Sequence, residues 1–245
     1  GSLYRLFEGT IIETVLTNRL TGSLAGPVNT MVTTDVYSHD RQDLLRQTLS
    51  SLGNTKHPFD LYIVDNNSTD GTQNLVKELG GYCSRTFPST CGHGMNVTLG
   101  ICSQDSDLVV FSNDDIAWKP NYLERLVAFW EEAPDDLLIC SGHLEPEYFW
   151  NTPREVVEYG GVKALVRDTA PGGTWTFRSK HWPLIAPVPE TPGEDDVPVC
   201  KRLNAQGYRV AQMDVATHAG EDASTWGNGS HLYAKPLDEK WSLKA

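Results

Sequence analysis

The most informative stretch of this 245-residue chain is VVFSNDD, residues 109–115. Its apolar first half is typical of a buried β-strand, and it ends in two adjacent carboxylates, Asp114 and Asp115. Like charges this close repel each other unless a cation or hydrogen-bond donors offset them. The stretch therefore predicts a strand that delivers acids to a site for a divalent metal and a phosphate, although Asn-Asp-Asp is also ordinary turn composition.

Strand and helix patterns alternate on both sides of this stretch. Strands are predicted at 31–34, 59–64, 82–87, 108–111, 137–140, 172–177 and 208–213, with a glycine-bearing turn at 91–96 and an acidic helix opened by residues 192–196. Helices between the early strands are predicted from leucines at helical spacing, as in Leu45, Leu49 and Leu52. The alternation implies a single α/β domain, with a Rossmann-like, mostly parallel sheet flanked by helices.

Composition limits the classes of protein and partner. The formal net charge of −12 argues against non-specific binding to nucleic acid, although a local basic groove is compatible with it. No segment approaches the ~20 apolar residues of a transmembrane helix. The five cysteines show no CxxC or zinc-ligand spacing, which favours free thiols in a reducing cytoplasm.

The chain divides into three predicted regions. Residues 1–28 are expected to form an N-terminal arm, whose Gly1-Ser2 start looks like a cloning scar. Residues 29–230 are expected to form the main domain, and residues 231–245 a C-terminal tail. Either the arm or the tail could mediate a homodimer.

Several polar residues follow predicted strands. Ligands of open parallel sheets bind at the carboxyl ends of the strands. Asp65 and Asp115 both come at such ends, and Thr33 and Asp35 follow the first strand closely enough to line the same pocket. The sequence therefore predicts one site at this edge of the sheet.

Five short motifs and one histidine, in this order, resemble those of GT-A glycosyltransferases, in particular the family-2-like group that includes rhamnosyltransferases. They are IVDNNSTDGT (63–72), GHGMNVTLG (92–100), SNDD (112–115), GGTW (172–175), EDDVPVCKRL (194–203) and His218. The resemblance extends over roughly residues 29–225. It implies a GT-A fold and an enzyme that uses a nucleotide-sugar donor with Mn²⁺ or Mg²⁺.

The resemblance also implies roles for individual residues. Asp115 corresponds to the metal-binding acid, and His218 resembles a distal histidine that completes the metal site. Asp65 resembles the carboxylate that recognises the nucleoside. The residues expected to bind the nucleotide sugar are Thr33, Asp35, Asp65, Asn67, Gly92, Asn96, Asn113 and Asp114. An ordinary connection between elements is nearly as good an explanation of the Gly92–Asn96 stretch.

The acidic helix supplies the candidate general base, which would take the proton of the acceptor hydroxyl. Alignment from Glu194 makes this base Asp195, which is preferred, whereas alignment back from Cys200 makes it Asp196. Direct displacement would invert the anomeric configuration. Gly173 and Trp175 are expected to form the acceptor floor, although burial is the common fate of such a tryptophan.

The leading hypothesis is therefore a metal-dependent, inverting glycosyltransferase, with a UDP-sugar as the favoured donor. The acceptor is expected to be a glycan or a small molecule, and a hydroxylated base in DNA is a minority option. A nucleotidyltransferase is an alternative, but residues 33–39 lack the Gly-rich, basic triphosphate loop it would need. A non-catalytic nucleotide-sugar-binding module is a further alternative.

Overall fold

A computed structural model describes residues 28–34, 42–66, 71–80, 82–84, 91–101, 106–144, 154–190 and 196–219 of the chain. The strands are β1 (Val28–Thr34), β2 (Phe59–Asn66), β3 (Tyr82–Ser84), β4 (Leu108–Asn113), β5 (Ile116–Trp118), β6 (Leu137–Ser141), β7 (Glu155–Tyr159), β8 (Val162–Arg167), β9 (Trp175–Arg178), β10 (Arg209–Met213) and β11 (Ala216–His218). The helices are α1 (Gln42–Leu52), α2 (Thr72–Glu78), α3 (Cys91–Ile101), α4 (Tyr122–Glu132), α5 (Trp182–Ile185) and α6 (Asp196–Ala205), with 3-10 turns at Gly172–Thr174 and Ser179–His181. The predicted N-terminal arm and C-terminal tail lie outside the described residues, apart from Val28.

Nine of the described strands form one sheet, in the order β3-β2-β1-β4-β9-β6-β10-β8-β7. Four of its neighbouring pairs are parallel and four are antiparallel. The predicted α/β class is confirmed, and seven of the nine strands run in the same direction, as expected of a mostly parallel sheet, although the two reversed strands make the pairing mixed. Strand-helix alternation builds the parallel run β3-β2-β1-β4, whereas β9 and β8 run in the opposite direction.

The chain changes direction across the sheet next to β1. From β1 it proceeds outward to β2 and β3, and then returns to place β4 on the other side of β1. Thr33 in β1 lies between Val64 of β2 and Asn113 of β4. The carboxyl ends of these three strands therefore form the crevice in which open α/β sheets bind ligands.

Helices cover both faces of the sheet. Leu108 and Val110 of β4 pack in one apolar cluster with side chains of α1 and α4, whereas Val109 and Phe111 pack in a second cluster with α3 and α6. Successive side chains of a strand point to opposite faces, so a strand buried on both is apolar throughout. This explains the uninterrupted apolar run before the acidic pair.

The predicted turn at 91–96 is wrong, because these residues form the first turns of α3. A Cβ on Gly92 would lie 1.9 Å from the Pro189 carbonyl oxygen, so the helix approaches the 188–190 segment at a distance that excludes side chains. Tertiary packing therefore overrides the low helix propensity of glycine here. Among the described helices, none has the length and apolar character needed to cross a bilayer.

Candidate active site

The acidic pair lies in the tight turn between β4 and β5, and α1 holds the backbone of this turn. The buried Thr48 hydroxyl donates to the Asp114 carbonyl (2.7 Å) and accepts from the Ile116 N–H (3.0 Å). The Ser51 hydroxyl accepts from the Trp118 N–H at 2.9 Å. Asp114 and Asp115 are themselves buried. The hydroxyls of Thr48 and Ser51 thus hold the backbone of the β4–β5 turn, which carries the two carboxylates at the carboxyl end of β4.

Asp115 and His218 meet across the small β5–β11 sheet. His218 pairs with Ile116, and the Ala219 N–H donates to the Asp115 carbonyl at 2.7 Å. The Asp115 Oδ2 and His218 Nδ1 atoms are 3.7 Å apart, which is longer than a hydrogen bond. The structure therefore brings together the two residues predicted to bind metal.

This separation lies within the range spanned by two ligands of one cation. Two ligands at about 2.1 Å from one octahedral ion lie about 3 Å apart when adjacent and about 4 Å apart when opposite. Within the described part of the chain, no set of three or more His, Cys, Asp and Glu side chains forms a cation site. Magnesium-type sites commonly take one or two protein ligands and complete their shell with substrate phosphates and water. The Asp115–His218 pair is such a partial donor set.

His143 was not anticipated from the sequence, and it lies beside this pair. Its ring centroid is 5.3 Å from that of His218, with an angle of 66° between the ring planes. Its Nδ1 atom is 2.7 Å from the Thr174 Oγ1 atom. Burial, together with nearby His218, lowers the pKa of His143 to about 3, so its imidazole is neutral at physiological pH.

Asp65 lies on the other side of β1, at the carboxyl end of β2. Its side chain is fully buried, and its backbone pairs with Thr34. Asp65 and Asp114 thus lie two strands apart, which corresponds to about 10 Å between backbones. Thr33 lies on the strand between them. Asp35 and Asn67, which were predicted to line the same pocket, lie outside the described residues.

The Gly172–Thr174 turn connects the acidic helix to the β4–β5 turn. The Gly172 N–H donates to the Asp196 Oδ2 atom at 3.0 Å, and the Val197 N–H donates to its Oδ1 atom at 2.6 Å. A Cβ on Gly173 would lie 3.0 Å from the Asn113 Nδ2 atom. The amino end of α6 is therefore adjacent to the predicted donor site, while Asp195 lies outside the described residues.

Two predictions on bulky or polar side chains need revision in light of their contacts. Trp175 is fully buried in the second core cluster, and its indole N–H donates to the Ala170 carbonyl at 2.7 Å. It therefore occupies the position of a core residue and not that of an acceptor floor. The Asn96 side chain donates to the Val188 carbonyl and the Glu190 carboxylate and accepts from the Val188 N–H. Asn96 and Gly92 therefore anchor the 188–190 segment, and a nucleotide role for them stays a prediction.

The crevice beside β1, the buried acids at its edge and the mixed sheet define a protein of the GT-A type. The chain belongs to Glycosyl transferase family 2, because the model of that family matches residues 36–177. An uncharacterized glycosyltransferase from Nostoc sp. is 26% identical over 106 residues, which are 42% of this chain and 32% of the relative. The chain thus spans about a third of the length of this curated relative.

Solved structures share this fold. A mannosyltransferase from Pyrobaculum calidifontis, in complex with GDP-Man and Mn²⁺, has a TM-score of 0.57 at 17% identity and covers 78% of this chain and 57% of its own. GalNAc-T7 with UDP, GalNAc and Mn²⁺ has a TM-score of 0.56 at 9% identity, covering 78% and 43%. TarS from S. aureus has a TM-score of 0.53 at 17% identity, covering 77% and 35%. At these identities the likeness shows the fold alone.

Proposed function

We propose that this chain transfers a sugar from a nucleoside diphosphate sugar to an acceptor hydroxyl, with the help of a divalent cation. The observation that carries the proposal is the Asp115–His218 pair, whose donor atoms lie 3.7 Å apart beside the crevice. A carboxylate and an imidazole at this spacing suit a cation that also binds a diphosphate. Membership of Glycosyl transferase family 2 supports sugar transfer as the reaction.

The donor is proposed to lie across β1. The nucleoside would contact Asp65 and Thr33, together with Asp35 and Asn67, and the diphosphate would approach the β4–β5 turn at Asn113 and Asp114. Asp65 can accept hydrogen bonds from a base or ribose. A UDP-sugar remains the favoured donor. GDP-sugars are tested beside it because the similar mannosyltransferase carries GDP-Man, and dTDP-sugars are tested as a further donor class.

The metal is proposed to be Mn²⁺ or Mg²⁺, held by Asp115 and His218. When bound, it would neutralise the negative charge that develops on the departing nucleoside diphosphate. The protein's own part is to hold the two ligands rigidly. Thr48 and Ser51 fix the turn that carries Asp115, and β-pairing with Ile116 fixes the backbone of His218.

The proposed general base is Asp195. The Asp196 carboxylate already accepts two backbone N–H groups, those of Gly172 and Val197. These bonds suit a residue that fastens the amino end of α6 to the Gly172–Thr174 turn. Asp195, the covalent neighbour of this fastened residue, is the acid proposed to take the acceptor proton. A base that activates the acceptor for direct displacement gives inversion of the anomeric centre.

The acceptor is proposed to be a glycan or a small molecule that enters past Gly173. The net charge of −12 weighs against a DNA acceptor. A homodimer through the terminal regions remains a prediction, as does a cytoplasmic location, with which the buried thiols of Cys140 and Cys200 are compatible.

The test is donor hydrolysis and transfer with UDP-, GDP- and dTDP-sugars, with and without Mn²⁺, in the wild type and in the Asp195→Asn and Asp196→Asn variants. The proposal predicts metal-dependent turnover of one donor class, loss of turnover with retained nucleotide binding in Asp195→Asn, and a partial loss in Asp196→Asn. Nucleotide-sugar binding without any turnover in the wild type would support the non-catalytic module instead.

A further inference from the structure

His143 has no role in the proposed reaction, yet its surroundings are tied to the metal ligands. It follows β6 by two residues, and its neighbour Gly142 makes backbone hydrogen bonds in two directions. The Gly142 N–H donates to the Thr174 carbonyl at 2.8 Å, and the Gly142 carbonyl accepts from the N–H groups of Val215 and Ala216 at 2.9 and 2.8 Å. The segment that carries His143 is therefore fastened to the strand that carries His218.

The Thr174 hydroxyl determines which ring nitrogen of His143 carries the proton. Its Oγ1 atom accepts from the Gly142 N–H at 3.1 Å, and lies 2.7 Å from both the Ser141 Oγ and the His143 Nδ1 atoms. A hydroxyl has one proton and two lone pairs. Ser141 is fully buried, and in the described part of the structure Thr174 is the hydrogen-bond partner of its hydroxyl.

The arrangement that satisfies the Ser141 and Thr174 hydroxyls and the Gly142 N–H has Ser141 donating to Thr174 and Thr174 donating to His143 Nδ1. His143 then accepts at Nδ1 and carries its proton on Nε2. In this tautomer neither ring nitrogen has a lone pair available for a cation, because Nδ1 is used by Thr174 and Nε2 is protonated. His143 is therefore excluded as a third metal ligand in this arrangement.

We propose that His143 is a positioning residue, which orients the ring of His218 for the cation and is itself oriented by Thr174 and Ser141. The two rings pack edge to face with centroids 5.3 Å apart, so His143 restricts rotation of the His218 side chain. Groups that orient a metal ligand commonly change metal affinity about 10- to 100-fold when they are removed. This inference rests on the proposed function, since it requires Asp115 and His218 to bind the cation.

The test measures Mn²⁺ affinity directly, from the electron paramagnetic resonance signal of free Mn²⁺ in the presence of UDP, GDP or dTDP. His143→Ala and Thr174→Val are expected to weaken Mn²⁺ binding about tenfold. Thr174→Ser keeps the hydroxyl and should stay within about twofold of the wild type, since the hydrogen bonds to Ser141, Gly142 and His143 can still form. In turnover, the Mn²⁺ concentration for half-maximal rate should rise while the rate at saturating Mn²⁺ is kept.

His181→Ala is the matched control. His181 is another buried histidine, but it follows the far end of β9, where Arg178 pairs with Leu108 at the amino end of β4. It should lower the melting temperature without changing Mn²⁺ affinity. Unchanged affinity in His143→Ala and Thr174→Val, with Asp115→Asn defective, would overturn the positioning role alone. A wild type that binds no Mn²⁺ would overturn both this inference and the metal-dependent function.

Discussion

Replacing Thr48 by valine tests how the acidic turn is held. The change keeps the shape of a fully buried side chain but removes the hydroxyl that joins the Asp114 carbonyl to the Ile116 N–H. Each buried backbone group that loses its hydrogen bond costs about 1–3 kcal/mol. For the two groups together we expect a loss of about 3 kcal/mol in the free energy of unfolding.

In a protein of this size, that loss corresponds to a fall of about 6–12 °C in melting temperature. The assay is thermal unfolding followed by circular dichroism, with Thr48→Ser as the control, because serine keeps both hydrogen bonds and loses one methyl group at a cost of about 1 kcal/mol. Thr48→Val should also weaken Mn²⁺-dependent nucleotide binding. The reasoning would be refuted if Thr48→Val melted no lower than Thr48→Ser.

Two further predictions concern single residues. Burial, opposed by the Leu138 carbonyl and reinforced by the charges of Lys180 and Arg178, lowers the pKa of His181 to about 4. Between pH 6.5 and 4 the unfolded chain therefore binds more protons at this residue than the folded chain does. As the pH falls from 7 to 4, the free energy of unfolding of the wild type should decrease by about 3 kcal/mol more than that of His181→Phe. Parallel pH profiles in urea denaturation would contradict this. Gly173→Ala places a methyl group 3.0 Å from the Asn113 Nδ2 atom, so it should weaken donor binding, as measured by calorimetry. Gly100→Ala is the control, because its methyl group meets nothing within 4 Å. It should leave donor binding unchanged and stabilise α3 by about 0.5–1 kcal/mol.

The elements that were predicted correctly are those in which the spacing of apolar residues indicates the buried face of a strand or helix. The apolar run of β4 and the leucine spacing of α1 mark surfaces that face the two core clusters. Strand-helix alternation also predicted the parallel half of the sheet, and with it the crevice between Asp65 and Asp114. These features depend on local periodicity, which is available from sequence alone.

The β7–β8 hairpin was missed although its signal is present. Two strand-like runs flank Gly160 and Gly161, and both glycines adopt positive φ values, 55° and 69°. A two-residue Gly-Gly connection of this kind is a strong hairpin signal. The hairpin contributes β8, one of the two strands that run against the other seven in the sheet.

His143 and the burial of Trp175 could not be predicted in the same way. The role proposed for His143 depends on its contact with Thr174, which is 31 positions away in the sequence, and on its ring contact with His218 on another strand. Trp175 lies between two polar residues, Thr174 and Thr176, and only the packed sheet shows that it belongs to the core. Such placements depend on contacts between distant segments, which periodicity does not report.

The most direct test of the central claim is isothermal titration of UDP, GDP and dTDP into the wild type and the Asp115→Asn variant, with and without Mn²⁺. If Asp115 and His218 bind the cation that holds the diphosphate, one nucleotide should bind the wild type at least about tenfold more tightly with Mn²⁺, in line with the effect of removing groups at metal sites. This gain should disappear in Asp115→Asn. Equal affinity with and without Mn²⁺, or a gain that persists in the variant, would contradict the proposed site.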